Sequence, residues 1–308
     1  MSHESDSVPC SRCGWPVSPR DAICIICGQR NPGAYSANPI LTTIVRLRRT
    51  GRRLWTRLVY RWQPRLHHSP SAHTTVSWDM LVAPRSYITG IIAACVALYV
   101  IAIVLGTVWQ PSLSHLLTPS NLALYKLGMT GRFPIANGRW WSLITAIYLH
   151  GSLLHIAFNM LAVYQIGPLV ERLFGPARFF ILYTLSGLCG ALLSTLAGTP
   201  LTVGASGAIF GLMGALIYFG YRQNDLPRFL PILRWAAINF LLGMVTPQVD
   251  NWGHAGGFVG GALVAAAFMS HSSRRLSYLL YRRLATIALV ATAIAIGISF
   301  LLPTGLTY

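Results

Sequence analysis

Seven apolar segments, each long enough to cross a lipid bilayer, dominate this sequence from residue 87 onward. They cover approximately residues 87–109, 142–165, 177–197, 204–221, 229–246, 252–270 and 284–302. About 20 apolar residues allow a helix to span the hydrocarbon core of a membrane. Because lipid cannot hydrogen-bond to an exposed backbone, segments of this length are helical. The sequence therefore predicts an all-α polytopic membrane protein, a bundle of seven transmembrane helices.

Charged residues are scarce in this chain. Lysine and arginine number 24 and acidic residues 7, for a net charge of +17, yet only 10% of the residues are charged. Soluble proteins carry about 25% charged residues, so this composition excludes an ordinary soluble protein. A strongly basic chain often binds nucleic acid, but an apolar chain fits that role poorly, and no nucleic-acid partner is expected.

The arginines predict the orientation of the helices. The chain begins without the basic and apolar regions of a signal peptide, so the N-terminus is expected in the cytosol. Seven spans then place the arginine-rich stretches 172–178, 222–228 and 274–283 in the cytosol, as the positive-inside rule requires. Since no organellar targeting segment is present, we expect a multi-pass protein of the bacterial plasma (inner) membrane.

Four cysteines near the N-terminus form two C-x2-C pairs, "CSRCG" and "CIICG", separated by ten residues. They are Cys10, Cys13, Cys24 and Cys27. Two such turns supply the four sulfur ligands of a tetrahedral structural zinc site. Residues 1–35 are therefore predicted to be a small zinc-ribbon-like cytosolic domain. Two disulfides or a thioredoxin-like redox site remain the alternatives.

A basic linker, residues 36–85, follows this module. Its arginines alternate with Trp55, Tyr60 and Trp62. This pattern is typical of an amphipathic helix that lies on anionic lipid with its aromatic rings at headgroup level. A solvated basic tether that only enforces orientation explains the same residues equally well.

Polar residues at membrane depth indicate a functional site, because burying them in lipid is costly. They are His150, His155 and Asn159 in the predicted second span, Ser206 in the fourth and His254 in the sixth. The three even-numbered spans all start on the outer side, and each of these residues lies near the start of its span. We therefore expect all five side chains in the outer half of the membrane.

Glycines predict that the fourth and sixth spans touch. Gly207 and Gly211 form a small-x3-small pair, and Gly257 and Gly261 lie on the same helical face as His254. Two glycine faces allow helices to pack backbone to backbone. Such a contact would bring the serine of "GASG" within reach of the histidine.

These residue types predict nucleophilic catalysis. A serine hydroxyl needs an adjacent base, and His254 is the candidate base for Ser206. His155 and Asn159, on one helical face, would supply oxyanion donors together with the backbone N–H of Ser206. His150, about 140° around the predicted helix, should have a different role. Asp250 is expected in the outer loop, so we predict a dyad without a carboxylate and without a catalytic cofactor.

Other interpretations fit parts of the pattern. Small residues with one serine are common at helix contacts, so "GASG" alone is consistent with packing. His254 alone is consistent with an interior histidine or a proton path in a transporter. A transporter would need carboxylates or broken helices at mid-membrane, and the spans offer neither.

The motifs together resemble the rhomboid family of intramembrane serine proteases. The similar stretches are "GRWWSLITAIYLHGSLLHIAFNM" (138–160), "ERLFG" (171–175), "GASGAIFG" (204–211) and "NWGHAGGFVGG" (251–261). The resemblance covers about residues 85–302. It implies a rhomboid-like protease domain over residues 86–302, with an extra seventh helix, 284–302, as in the six-plus-one form.

By this resemblance, Ser206 is the nucleophile and His254 the base. The oxyanion residues would be His155 and Asn159, and His150 would give hydrogen-bonding support. Gly204, the first residue of "GASG", is predicted to be a further supporting residue of the oxyanion site.

The chain departs from the family pattern at two positions. Ser142 stands where an arginine often follows the paired tryptophans, and Arg139 lies just before them. Phe210 stands in place of a tyrosine that stacks on the catalytic histidine, and it keeps the ring without the hydroxyl. Both catalytic groups are present, so the sequence is not that of a pseudoprotease.

The resemblance also implies the partners. Substrates would be single-span membrane proteins, cut near the outer face and entering laterally beside spans two and five. A catalytically silent rhomboid-like adaptor that binds transmembrane helices is the alternative.

Overall fold

The computed structural model describes residues 8–9, 16–17, 87–109, 112, 117–246, 248–270 and 274–302. Near the N-terminus, β1 (Val8–Pro9) and β2 (Pro16–Val17) pair antiparallel, with Val8 opposite Val17. The rest of residues 1–35 and the whole basic linker lie outside the described residues. The zinc-ribbon-like module and the amphipathic linker helix therefore stay predictions.

The described residues of the unit Thr75–Tyr308 are largely helical. The long helices are α1 (Tyr87–Trp109), α5 (Leu153–Phe174), α6 (Pro176–Leu196), α7 (Ser206–Arg222), α8 (Leu226–Val245), α9 (Asn251–Ser270) and α10 (Arg274–Leu301). Between α1 and α5 lie α2 (Asn121–Leu127), α3 (Arg132–Ala136), α4 (Ser142–Thr145) and the 3-10 helix Ala146–Tyr148. Six of the seven long helices have the length and hydropathy to cross a membrane. The predicted all-α polytopic membrane protein is confirmed.

Helix α7 is the exception, with 17 residues. Its side chains are buried without interruption from residue 208 to 216. It packs against α5, α6, α8 and α9. Since a helix that is apolar on every side belongs to the interior of a bundle, α7 occupies the centre, and Ser206 is its first residue.

The bounds predicted for the second span are wrong. Residues 142–152 form α4, the 3-10 helix and an extended turn, and α5 begins only at Leu153. The hydroxyl of Ser152 caps α5 by accepting a hydrogen bond from the backbone N–H of His155 at 3.2 Å. His150 therefore precedes the helix, and the helical-phase argument for it does not apply. The apolar run through residues 143–149 hides this break from any hydropathy window.

The predicted glycine contact is confirmed between α7 and α9. A Cβ atom at Gly257 would overlap the backbone oxygen of Gly207, and one at Gly261 would overlap that of Gly211. Helix α6 joins at the same level, since a Cβ at Gly190 would lie 2.6 Å from the backbone oxygen of Gly253. Backbones approach this closely only where both helices present glycine.

The described part of the connection between α1 and α5 is held by caps and by a contact with the end of the chain's last helix. Ser120 caps α2 by accepting from the N–H of Ala123 at 3.2 Å, and Gly128 ends it with a φ of 103°. The Lys126 ammonium donates to the backbone oxygen of Leu302 at 2.6 Å. The loop is thus tied to the C-terminal end of α10.

Arg139, which precedes the paired tryptophans, is buried in this loop. Its guanidinium donates to the backbone oxygen of Tyr125 at 2.8 Å and lies 4.6 Å from the centre of the Tyr125 ring. It also lies 5.1 Å from the centre of the Trp141 ring. The arginine thus connects the end of α2 to the segment that leads into α4.

Candidate active site

Ser206 is presented by a tight segment at the start of α7. Gly204, two residues before it, has a φ of +138°, a conformation that side chains rarely adopt. A Cβ at Gly204 would lie 2.7 Å from Nε2 of His155 and 3.7 Å from Oγ of Ser206. The N–H of Gly204 donates to the backbone oxygen of Ala146 at 2.9 Å. The absent side chain is what lets the His155 imidazole reach the start of α7.

His254 faces the same end of α7 from α9. Its buried imidazole stacks on the ring of Phe210, with centroids 4.1 Å apart and planes within 7°. Phe210 lies one helical turn after Ser206, on the same face of α7. The stacking ring expected at this position is therefore confirmed, and the imidazole lies on the face of α7 that begins with Ser206.

Ser206 and His254 lie next to a point where α7 and α9 touch, since a Cβ at Gly207 would lie 3.2 Å from the backbone oxygen of Gly253. Within the described part of the chain, Nδ1 of His254 is buried and has no hydrogen-bond partner. No hydrogen bond joins the Ser206 hydroxyl to the imidazole there. Catalytic hydrogen bonds are often long or absent before substrate binds, so the missing bond does not argue against the predicted dyad.

His155 and Asn159 lie one turn apart in the first half of α5. The side-chain amide of Asn159 donates to the backbone oxygen of His155 at 3.0 Å. An amide NH2 group has two N–H donors, so one remains for a ligand. The structure thus brings His155 beside Gly204 and places Asn159 one helical turn farther along α5.

His150 lies behind His155. Its ring is fully buried and meets the His155 ring edge-on, with centroids 5.1 Å apart. Neither ring nitrogen of His150 has a hydrogen-bond partner among the described residues. Burial lowers the pKa of His150 to about 3, and the proximity of His155 acts in the same direction. His150 is therefore neutral at physiological pH and contacts His155 ring to ring, while its supporting, hydrogen-bonding role stays a prediction.

A cavity of about 30 Å³ opens beside Ser206. Its polar side chains are those of Thr130, Thr202, Ser206 and Asp250, and glycines of α6 and α7 form another part of the wall. A water molecule needs roughly 10–15 Å³ of such space. The cavity can therefore hold one or two water molecules next to the serine hydroxyl.

Two of these lining residues were missed by sequence reasoning, which gave Asp250 no role and did not consider Thr202. The hydroxyl of Thr202 donates to Oδ2 of Asp250 at 2.8 Å. Oδ1 of Asp250 accepts from the N–H of Gly253 at 2.9 Å. An aspartate placed three residues before a backbone donor at a helix start is a capping signal, and it was available in "DNWG".

The predicted metal ligands do not belong to this group of residues. No group of three or more His, Cys, Asp or Glu side chains suited to a metal ion occurs among the described residues. The predicted zinc ligands Cys10, Cys13, Cys24 and Cys27 lie outside those residues. The predicted zinc site is therefore not tested by this observation.

Comparison with known proteins finds similarity over the region that holds this site. A family profile described as "Rhomboid domain" matches residues 137–271, which include α5 to α9 and all the residues of the site described above except Thr130. The chain is 41% identical over 138 residues to "Rhomboid protease GluP" of Bacillus subtilis, covering 43% of this chain and 27% of that protein. It is 39% identical over 154 residues to "RHOMBOID-like protein 5" of Arabidopsis thaliana, covering 47% and 50%.

A further relative is matched over most of its length. The "Putative rhomboid protease YdcA" of Bacillus subtilis is 33% identical over 171 residues, which cover 54% of this chain and 82% of that protein. By contrast, the match to the first two relatives spans half of their length or less.

Proposed function

Because this chain belongs to the rhomboid family, we propose that it is an intramembrane serine protease. It hydrolyses peptide bonds in or near the transmembrane segments of other membrane proteins. The observation that carries the proposal is the stacking of Phe210 on His254 at 4.1 Å, because it sets the imidazole on the Ser206 face of α7. The names of two relatives, "Rhomboid protease GluP" and "Putative rhomboid protease YdcA", support the same activity.

The proposed reaction uses a Ser206–His254 dyad. Oγ of Ser206 attacks the carbonyl carbon of the scissile bond while the imidazole of His254 takes the hydroxyl proton. The tetrahedral intermediate collapses, and the leaving amine takes this proton from His254. A water molecule, activated in turn by His254, then hydrolyses the acyl-enzyme. The cavity beside Ser206 supports this step, since it has room for water.

Three groups are proposed as oxyanion donors. They are the backbone N–H of Ser206, the free N–H of the Asn159 amide and the imidazole N–H of His155. Fixed donors of this kind stabilise the charge that develops on the carbonyl oxygen. The contact of His155 with Gly204 supports this role, because it holds the imidazole beside the nucleophile.

We propose that the site opens to the outer side of a bacterial plasma membrane and that the N-terminus is cytosolic. Helices α5 and α7 begin with the site residues and carry Arg172 and Arg222 in their last turns. Under the positive-inside rule, these arginine ends belong to the cytosol. Single-span substrates would reach the site laterally beside α5 and α8.

The N-terminal region has a separate proposed role. The spacing of its four cysteines supports a structural zinc ion bound by Cys10, Cys13, Cys24 and Cys27 in residues 1–35. We expect about one zinc per chain, lost on Cys10→Ser substitution. Metal-free protein with intact thiols would contradict the proposal.

The linker 36–85 is proposed to bind anionic lipid, so its affinity for anionic liposomes should fall as salt rises.

Labelling with a serine-reactive fluorophosphonate tests the proposed activity. We expect labelling and cleavage of a single-span reporter by the wild type, and loss of both in Ser206→Ala and His254→Ala. Ser270→Ala, at the other end of α9, is the matched control and should behave as wild type. Persistent labelling of Ser206→Ala would reject the nucleophile. A wild type that binds the reporter without labelling or cleavage would favour the adaptor.

A further inference from the structure

The segment that presents Ser206 is held on one edge by the outer loop. Thr202 and Thr130 exchange two backbone hydrogen bonds, of 2.7 and 3.1 Å. The N–H of Arg132 donates to the backbone oxygen of Thr199 at 2.8 Å. These contacts fix residues 199–202 to the outer loop. They do not involve α9, which carries His254.

A side-chain contact makes the connection to α9. The hydroxyl of Thr202 donates to Oδ2 of Asp250 at 2.8 Å, while Oδ1 accepts from the N–H of Gly253 at 2.9 Å. The backbone oxygen of Asp250 accepts from the N–H of His254 at 3.1 Å. One half-buried carboxylate therefore caps the helix of the base and binds the segment of the nucleophile.

The two residues of this contact are equally far in sequence from Ser206 and from His254. Thr202 precedes Ser206 by four residues, and Asp250 precedes His254 by four residues. The carboxylate accepts no hydrogen bond from the His254 ring, whose Nδ1 is buried without a partner among the described residues. Asp250 is thus unlike the aspartate of a catalytic triad, which orients the imidazole directly. Besides the field of its charge, which reaches the imidazole without contact, Asp250 can affect the reaction only through the position of the two segments.

We infer that Asp250 is a positioning residue that, through Thr202, sets the separation between Ser206 and His254. The inference rests on the proposed function, because it assigns those two residues as nucleophile and base. Small displacements of reacting groups have large effects on rate: a shift of about 1 Å can cost about 100-fold. The contact should therefore affect turnover more than substrate binding.

The test compares four variants by their kinetics on the single-span reporter. Asp250→Ala and Thr202→Val each remove the contact, and we expect either to lower kcat by about 10- to 100-fold with little change in KM. Asp250→Asn should rescue activity to within about threefold, since an amide can accept from Gly253 and donate to the threonine hydroxyl. Thr202→Ser keeps the hydroxyl and should also be active.

Asp225→Ala is the matched control. Asp225 precedes the first residue of another helix, α8, and forms an exposed ion pair with Arg228 at 3.8 Å. Its removal should leave kcat unchanged. The Asp250→Ala/Thr202→Val double variant should be no slower than the slower single variant, because both changes remove one shared interaction.

Several outcomes would overturn the inference. Wild-type kcat in Thr202→Val would do so, and so would an Asp250→Asn variant as slow as Asp250→Ala, since the loss would then follow charge. A purely structural cap would lower the unfolding temperature without changing kcat in folded protein. Should Asp250→Ala fail to fold, Thr202→Val decides, because it is nearly isosteric. A wild type without labelling or cleavage contradicts the proposed function instead.

Discussion

Helices α8 and α9 follow one another in the chain and look alike by composition, yet they are held in different ways. Each has 20 residues, and their most apolar stretches share a mean hydropathy of 1.3. In α9, 44% of that stretch is buried, against 17% in α8. The difference lies in the placement of glycine, which hydropathy does not measure.

Helix α9 is fixed by its backbone. Gly257 and Gly261 rest directly on backbone oxygens of α7, and Gly256 lies against the backbone of α6. Such contacts have no rotatable group that can adapt, so the position of His254 along α7 is strongly constrained.

Helix α8 is held by side chains. Phe229 packs its ring against Gly220 and against Phe219, with ring centroids 6.0 Å apart. Farther along, Ile238 and Leu241 are exposed on the bundle surface. Side chains can repack at low cost, and this supports the proposal that substrates enter beside α8 while the catalytic pair stays in place.

The largest expected loss of stability comes from disrupting the backbone contact between α7 and α9. Gly257→Ala adds one methyl group against the backbone oxygen of Gly207, which has no room to move. We expect a loss of about 2–3 kcal/mol in the free energy of unfolding. Fluorophosphonate labelling should fall with it, since the helix of His254 is displaced. Thermal unfolding in detergent and the labelling rate measure the two effects.

A helical glycine in open space provides the control for this experiment. At Gly90 in α1, no atom lies within 4 Å of the position that an added methyl group would take. Gly90→Ala should therefore change the free energy of unfolding by no more than about 0.5 kcal/mol. Equal losses in the two variants would mean that the backbone contact at Gly257 is not the cause of the loss.

An intermediate effect is expected at Gly204, where an added methyl group would meet the side chain of His155. In Gly204→Ala the new methyl group meets Nε2 of His155 and the backbone is strained at a φ of +138°. Because His155 is a proposed oxyanion donor, its displacement should lower kcat by about 100-fold. The strain should cost about 1–3 kcal/mol of stability.

Gly198→Ala separates these two effects. Gly198 also has a positive φ, +91°, but nothing lies within 4 Å of its methyl position. This variant should lose stability to a similar extent and keep its kcat. If Gly198→Ala loses activity as Gly204→Ala does, the contact with His155 is not the cause.

The smallest effect is expected at the contact of α8. In Gly220→Ala the added methyl group would lie 2.5 Å from the Phe229 ring, which can turn away. We expect a loss of about 1 kcal/mol or less in the free energy of unfolding, with kcat unchanged. A loss as large as that of Gly257→Ala would mean that α8 is held as rigidly as α9.

Sequence reasoning succeeded where a local pattern has one physical meaning. The first span was predicted at 87–109 and α1 is Tyr87–Trp109, because an apolar run of that length has one stable arrangement in lipid. The contact between the glycine faces of α7 and α9 was also predicted, since helical spacing alone identifies them. The meeting of His155, Ser206 and His254 at one end followed from counting spans.

Sequence reasoning failed where a feature depends on residues far apart in the chain or is hidden by the hydropathy of its neighbours. The break before α5 escaped prediction because residues 143–149 are as apolar as a continuous helix. The hydrogen bond between Thr202 and Asp250 joins residues 48 positions apart, and no periodicity marks it. A signal for this break was present in Gly151 and Ser152, because a serine that follows glycine can cap a helix, as Ser152 caps α5.

The short length of α7 has a consequence for how water reaches the site. Seventeen residues extend only about 26 Å at 1.5 Å per residue, whereas the hydrocarbon core is about 30 Å thick. A lipid-facing helix would correct such a mismatch by thinning the bilayer around it. Helix α7 is enclosed by its neighbours, so lipid cannot make that adjustment. We therefore expect the missing length to leave a depression at the Ser206 end of α7, so that the cavity beside Ser206 would be filled by water and not by lipid.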